Sequence, residues 1–306
     1  MSFDRLIQKI TEKQNPTVAG LDPVLAFIPD FIKAKAYSDH GKTMAGAAAA
    51  FFEFNKGLMD ALYDIVPAIK PQSAYYEAMG WAGVKALHDT IAYGKSKGLA
   101  VIADGKRGDI GSTVEAYAQA YLGVAQLEGD TEEAFGADAL TVNGYLGTDG
   151  ILPLVKVCRE RDKGIFVLVK TSNPSSGELQ DQTIGDKAVY RAMGELCEKW
   201  GQESISAVTG YSPVGAVVGA TYPAQLEELR KALPHTFFLV PGYGAQGGSA
   251  ASIAAAFDKN GSGAIVNSSR AIMAAWQKEG CALEDFAGAA RREAIRMREA
   301  ITAAIG

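Results

Sequence analysis

Eight short apolar runs, each followed by a stretch of helical length, constrain this chain more than any other feature of its sequence. The runs lie at 17–21, 64–69, 99–103, 137–142, 164–169, 214–219, 236–240 and 263–266. They are near-continuous rather than alternating, the pattern of parallel strands covered on both faces. The helical stretches are 43–62, 73–97, 114–128, 150–161, 187–203, 223–232, 250–259 and 283–304. Alternation repeated this often predicts a (β/α)8 TIM barrel, a fold of about 250 residues. We read residues 1–306 as a single such domain, with two polar insertions, 23–42 and 172–186, taking up the surplus length. An open doubly wound sheet shares the alternation and stays as the alternative at this stage.

Composition narrows the chemistry. A net charge of −5 argues against a nucleic-acid partner, which normally meets a basic face. Cys158, Cys197 and Cys281 are far apart and odd in number, which weighs against a disulfide scaffold or thiolate metal site and favours a reducing compartment. His40, His88 and His235 are not at metal-ligand spacing. The N-terminal stretch has scattered charges and no apolar core, and no run reaches the roughly 20 residues needed to span a bilayer. A cytoplasmic protein without a membrane partner is expected.

In a barrel, functional residues collect at the carboxyl ends of the strands. Those ends carry Asp22, Lys70, Asp104 with Lys106, Asn143, Lys170 with Ser172, the glycine-rich run 242–248, and Ser268-Ser269-Arg270. Lys70, Asp104 and Lys106 fall on neighbouring strands and should converge, with 104 and 106 on one face if the strand stays regular that far. Convergent charges at a strand end are either a structural ion-pair network or a catalytic centre. The glycines of 242–248 and Arg270 follow the last two strands, where barrels most often bind phosphate. A surface turn with a solvated arginine is the plainer reading of those two loops.

The pattern Asp104-x-Lys106-x-x-Asp109-Ile110, with Lys70 one strand earlier, resembles the signature of orotidine 5′-phosphate decarboxylases. The strings DGKRGDIGST and PGYGAQGG are similar to the bacterial long-form, type 2 branch of that family, and AGLDP at 19–23 fits its first strand end. The resemblance runs from the first strand to the eighth. It implies conversion of orotidine 5′-monophosphate to UMP and CO2 in de novo pyrimidine biosynthesis, with neither metal nor organic cofactor. Lys70, Asp104, Lys106 and Asp109 would be the catalytic residues, with Lys106 donating a proton to C6. Asp22 would bind ribose, Ser172 the pyrimidine amide, and Gln246 with Arg270 the phosphate. Asp109, Ile110 and Thr113 would complete the site of a neighbouring subunit, which implies a homodimer. Arg107 would brace the loop, and Lys170 is expected to be a satisfied strand-end charge. Closure of 242–248 and 172–186 over the substrate is a further expectation.

Two rivals remain. A metal-dependent phosphosugar decarboxylase or aldolase of the same barrel superfamily would need an extra carboxylate at a strand end, whereas Lys70-Pro71-Gln72 follows the second run. Activity that survives chelation would exclude it. A non-catalytic nucleotide-binding protein would keep the phosphate grip and bind UMP without turnover.

Overall fold

The computed structural model describes residues 2–244 and 249–306. Eight parallel strands, Thr17–Leu21, Ala68–Pro71, Ala100–Arg107, Ala139–Val142, Gly164–Lys170, Val214–Val218, Phe238–Val240 and Ala264–Ser268, form a closed barrel. They pair in chain order, and the first closes on the eighth through Thr17↔Val266, Val18↔Asn267 and Ala19↔Ser268. Closure excludes the open-sheet alternative.

The strands are buried on both sides because their residues serve two cores. Val18, Ala68, Ala100, Ile102, Ala139, Phe166, Leu239 and Ile265 pack inside the barrel, while neighbours such as Ala19, Ile69, Val101, Leu140 and Val266 pack against the surrounding helices. The N-terminal helix Ser2–Lys13 was not anticipated from the sequence, and it places Phe3 under the barrel floor. The Phe3 ring lies 4.8 Å from that of Phe166 and 5.5 Å from that of Phe237. Burying such a side chain contributes about 1.5–3 kcal/mol.

Several predicted boundaries move, each for a local reason. The run at 64–69 begins its strand only at Ala68, because Ile65 and Val66 still donate to Leu62 O at the end of the preceding helix. The stretch 73–97 is two helices, Ser73–Glu77 and Gly80–Ser96, interrupted where Gly80 takes φ +61°. Helix Gly111–Tyr121 is shorter than 114–128 suggested, since the chain turns at Gly129 into a hairpin of Ala125–Leu127 with Asp130–Glu132. The polar insertion 23–42 contains helix Asp30–His40, which buries Ile32 and Ala36. The second insertion contains a 3-10 turn, Pro174–Glu178, and a short antiparallel pair, Thr183–Ile184 with Lys187–Ala188. No helix among the described residues is long and apolar enough to cross a membrane.

Candidate active site

The third barrel strand carries the central charges, and its end is irregular. Ile102 and Ala103 pair with Ala139 and Leu140, but the next registered pair is Arg107↔Val142, so extra residues bulge out between Ala103 and Arg107. A bulge re-aims the side chains it contains. Within it Lys106 takes φ +47°, a left-handed conformation uncommon for any residue but glycine. The glycine beside it, Gly105, is not the left-handed residue. Regular strand geometry therefore does not place 104 and 106 on one face; the bulge brings their side chains together.

They meet in a compact array. Asp104 is buried, with one oxygen, Oδ2, 2.6 Å from Lys70 Nζ and the other, Oδ1, 2.6 Å from Lys106 Nζ. Thr141 Oγ1 donates to Oδ1 at 2.8 Å and accepts from the Lys106 backbone N–H at 3.0 Å. Burial alone would raise the Asp104 carboxyl pKa, but Lys70 and Lys106 outweigh it and hold it well below the usual range. Burial would likewise discharge Lys70, and Asp104 and Asp22 reverse that, holding its pKa above the ordinary lysine value. A buried charge persists only with such partners.

This array lies in a cavity of about 740 Å³ at the carboxyl ends of the strands. The same cavity is lined by Asp22, Lys70, Asp104, Lys106, Ser172 and Arg270, so six of the residues singled out from the sequence share one space. Leu168, Val217 and Leu239 give its floor an apolar surface. Asp22 Oδ1 is a buried acceptor without a hydrogen-bond partner among the described residues. Gln246 lies outside the described residues, as does most of 242–248; Gly242 and Tyr243 line the cavity. The helix after that loop is a single turn, Ala250–Ile253, whose first-turn N–H of Ser252 is already taken by the Ser249 side chain.

Asp109, Ile110 and Thr113 do not line this cavity. They sit where helix Gly111–Tyr121 begins, with Ile110 and Thr113 exposed and Asp109 Oδ1 accepting from the Ile110 N–H at 2.8 Å. Asn143 is exposed and outside the cavity lining; its N–H bonds Arg107 O at 2.8 Å. Arg107 stacks on Tyr117 and Tyr121, pairs with Glu77 and donates to Gly105 O at 3.1 Å, which braces the loop from behind.

Lys170 is fully buried just behind the cavity wall. It pairs with Asp181 Oδ1 at 2.6 Å, donates to Ser176 Oγ at 3.2 Å and lies 4.4 Å from the centre of the Tyr222 ring. Gln180 bonds both the N–H and the hydroxyl of Thr171, at 2.9 and 2.8 Å, and Thr221 Oγ1 donates to Ser172 O at 3.2 Å. These contacts hold the 172–186 segment against the barrel, where Ser172 and Asn173 form part of the cavity wall. Lys170 is thus satisfied, as expected, but by the insertion itself.

Sequence reasoning missed Thr141 and Asn267, both of which line the cavity. A hydroxyl inside the otherwise apolar run Ala139–Val142 was the available signal for Thr141.

The profile described as "Orotidine 5′-phosphate decarboxylase / HUMPS family" matches residues 39–284. An orotidine 5′-phosphate decarboxylase of Rhodopirellula baltica is 48% identical over 92% of this chain and 93% of its own. That of Caldicellulosiruptor bescii is 40% identical over 99% of this chain and 98% of its own. The solved OMP decarboxylase of Leishmania donovani superimposes with a TM-score of 0.75 at 31% identity, covering 99% of this chain and 98% of that one.

Proposed function

The chain belongs to the orotidine 5′-phosphate decarboxylase / HUMPS family, and from that premise we propose how it converts orotidine 5′-monophosphate to UMP and CO2, the UMP-forming step of pyrimidine biosynthesis. The observation that carries the mechanism is the Asp104 carboxylate clamped between two ammonium groups at the floor of the cavity.

Breaking the bond from C6 to its carboxylate leaves an electron pair on C6 with no adjacent sink. The barrier must fall by an amount near the top of the usual ~8–23 kcal/mol range. Charge fixed in place before the reaction is the tool these residues offer. The substrate carboxylate sits beside Asp104, which disfavours it until CO2 departs and keeps Lys106 positive. Lys106 stabilises the developing C6 anion, then transfers a proton from Nζ to C6, giving UMP and a neutral amine that solvent reprotonates. Lys70 holds Asp104 ionised and continues the array toward the ribose. Asp22, with its unmet acceptor, takes ribose hydroxyls; Ser172 reads the pyrimidine amide; Arg270 and Gln246 grip the phosphate. No metal or organic cofactor takes part in this scheme. Among the described residues no three His, Cys, Asp or Glu side chains gather as a metal site.

Asp109, Ile110 and Thr113 serve the site of a second subunit in a homodimer. What supports this is their absence from their own cavity, together with exposed apolar side chains on the adjoining loops. Tyr145 is 77% exposed, and Ile110 and Leu146 are exposed as well. Leu146 and Asp109 both lie against Gly150, which places them on one patch.

The deciding experiment follows the loss of orotate absorbance with wild type and Lys106→Ala. Turnover by wild type and a loss of at least about 10³-fold in the variant are expected, with UMP still bound. An inactive wild type would sink this reading, and UMP binding without turnover would favour the non-catalytic alternative.

A further inference from the structure

We propose that Thr141 is a positioning residue for decarboxylation, which fixes the orientation of Asp104 and the strained backbone of Lys106; this rests on the roles given to those two residues above. Thr141 is on the fourth barrel strand, 1% exposed, with its side chain on the cavity wall.

The direction of its two hydrogen bonds is determined by its partners. The Lys106 N–H can only donate, and an ionised Asp104 can only accept. The hydroxyl therefore accepts from the amide at 3.0 Å and must send its single proton to Asp104 Oδ1, 2.8 Å away. Lys106 Nζ returns to the same Oδ1 at 2.6 Å. Asp104, Lys106 and Thr141 thus form a closed ring, tying the bulged end of the third strand to the fourth.

The ring acts at two places. With Oδ1 held by Thr141 and Lys106, the carboxylate keeps the orientation in which Oδ2 faces Lys70. The bond to the Lys106 amide supports a φ of +47°, which a lysine rarely adopts and which aims Nζ into the cavity. Neither place needs a hydroxyl for packing. The flanking strand residues Leu140 and Val142 are apolar and fully buried, and valine would match the shape of threonine there. What valine removes is the ring.

The test compares kcat and KM for orotidine 5′-monophosphate, and affinity for UMP, in wild type, Thr141→Val, Thr141→Ser and Thr141→Cys, with Lys106→Ala as reference. Thr141→Val should lower kcat by about 10- to 100-fold, the scale of a slightly misplaced reacting group. Its KM and UMP affinity should stay within about threefold, because the bound ground state is little affected. Serine restores the ring and should recover kcat to within about threefold of wild type; cysteine, a weak donor, should fall between. An unchanged kcat in the valine variant, equal losses with valine and serine, or a loss confined to KM and UMP affinity would each overturn the proposal. If the valine variant does not fold, the other two decide: a lower kcat with cysteine but not serine, at unchanged UMP affinity, supports it, and wild-type kcat in both overturns it. An inactive wild type would instead overturn the functional reading. Active wild type, inactive Lys106→Ala and full activity in Thr141→Val would overturn the role of Thr141 alone.

Discussion

Lys106 Nζ lies 2.6 Å from Asp104 Oδ1 although the two residues are separated by one glycine on a strand that has lost its register. A half-exposed ammonium at the cavity surface is thereby coupled to a buried carboxylate, whose other oxygen is neutralised from the second strand by Lys70. Charge is thus arranged before substrate arrives, and changing one member disturbs the others.

The first consequence concerns acid stability. Asp104 is held below the usual carboxylate range because Lys70 and Lys106 overcome the opposing effect of burial. Its contribution is therefore complete above the unfolded pKa of about 3.9 and is lost as pH falls through the folded value. Asp104→Asn leaves buried Lys70 without its nearest carboxylate and should cost about 3–5 kcal/mol near neutral pH. Denaturant titrations of wild type and variant should show the gap narrowing as pH drops below about 4. A gap independent of pH would contradict the ion-pair account.

A second concerns the wall that carries Ser172. Lys170 is fully buried and Asp181 is its only carboxylate partner in an ion pair among the described residues, with the aspartate side chain 40% exposed. Asp181→Asn should destabilise the protein by somewhat less than the ~3–5 kcal/mol of a fully buried broken pair. It should also raise KM, since the 172–186 segment loses its anchor. Lys170→Met, which removes the charge instead of stranding it, should be milder. Thermal melts and steady-state kinetics check both, and the reverse order of stability would be evidence against the anchor.

The proposed sharing of sites between subunits makes a third prediction. Subunits carrying Lys106→Ala and subunits carrying Asp109→Ala should each be inactive alone. Mixed and allowed to exchange, they should regain activity in up to about a quarter of the sites, because one site of each mixed two-fold dimer then carries neither change. No recovery despite demonstrated exchange would place Asp109 in the site of its own subunit.

The phosphate-binding role proposed for Arg270 gives a fourth. Arg270 lines the cavity at the end of the eighth strand, remote in sequence from the charged array. Orotidine, lacking the phosphate, should react with kcat/KM lower by about two or more orders of magnitude, since remote binding energy assists the reaction at C6. Arg270→Ala should lose most of its efficiency toward the phosphorylated substrate and little toward orotidine. Equal losses toward both would remove Arg270 from the phosphate.

The barrel was legible because eight apolar runs with intervening helical stretches leave few ways to bury both faces of a parallel sheet. Asp22, Lys70, Asp104, Ser172 and Arg270 were legible for the same reason, since strand ends in a barrel converge. Helix Asp30–His40 was not, because its apolar contacts are few enough to read as a polar loop. Nor was the partner of Lys170, which comes from an insertion that no periodicity marks.

By itself, then, the sequence determined the strand–helix order, and with it which charged residues meet at one end of the barrel. Hydrophobic period and chain connectivity suffice for that. Only the tertiary structure decided how they meet. The bulge after Ala103, the left-handed Lys106 and the hydroxyl of Thr141 depend on pairing between the third and fourth strands. Register between distant segments is set by packing of the whole barrel, which no local run of residues encodes.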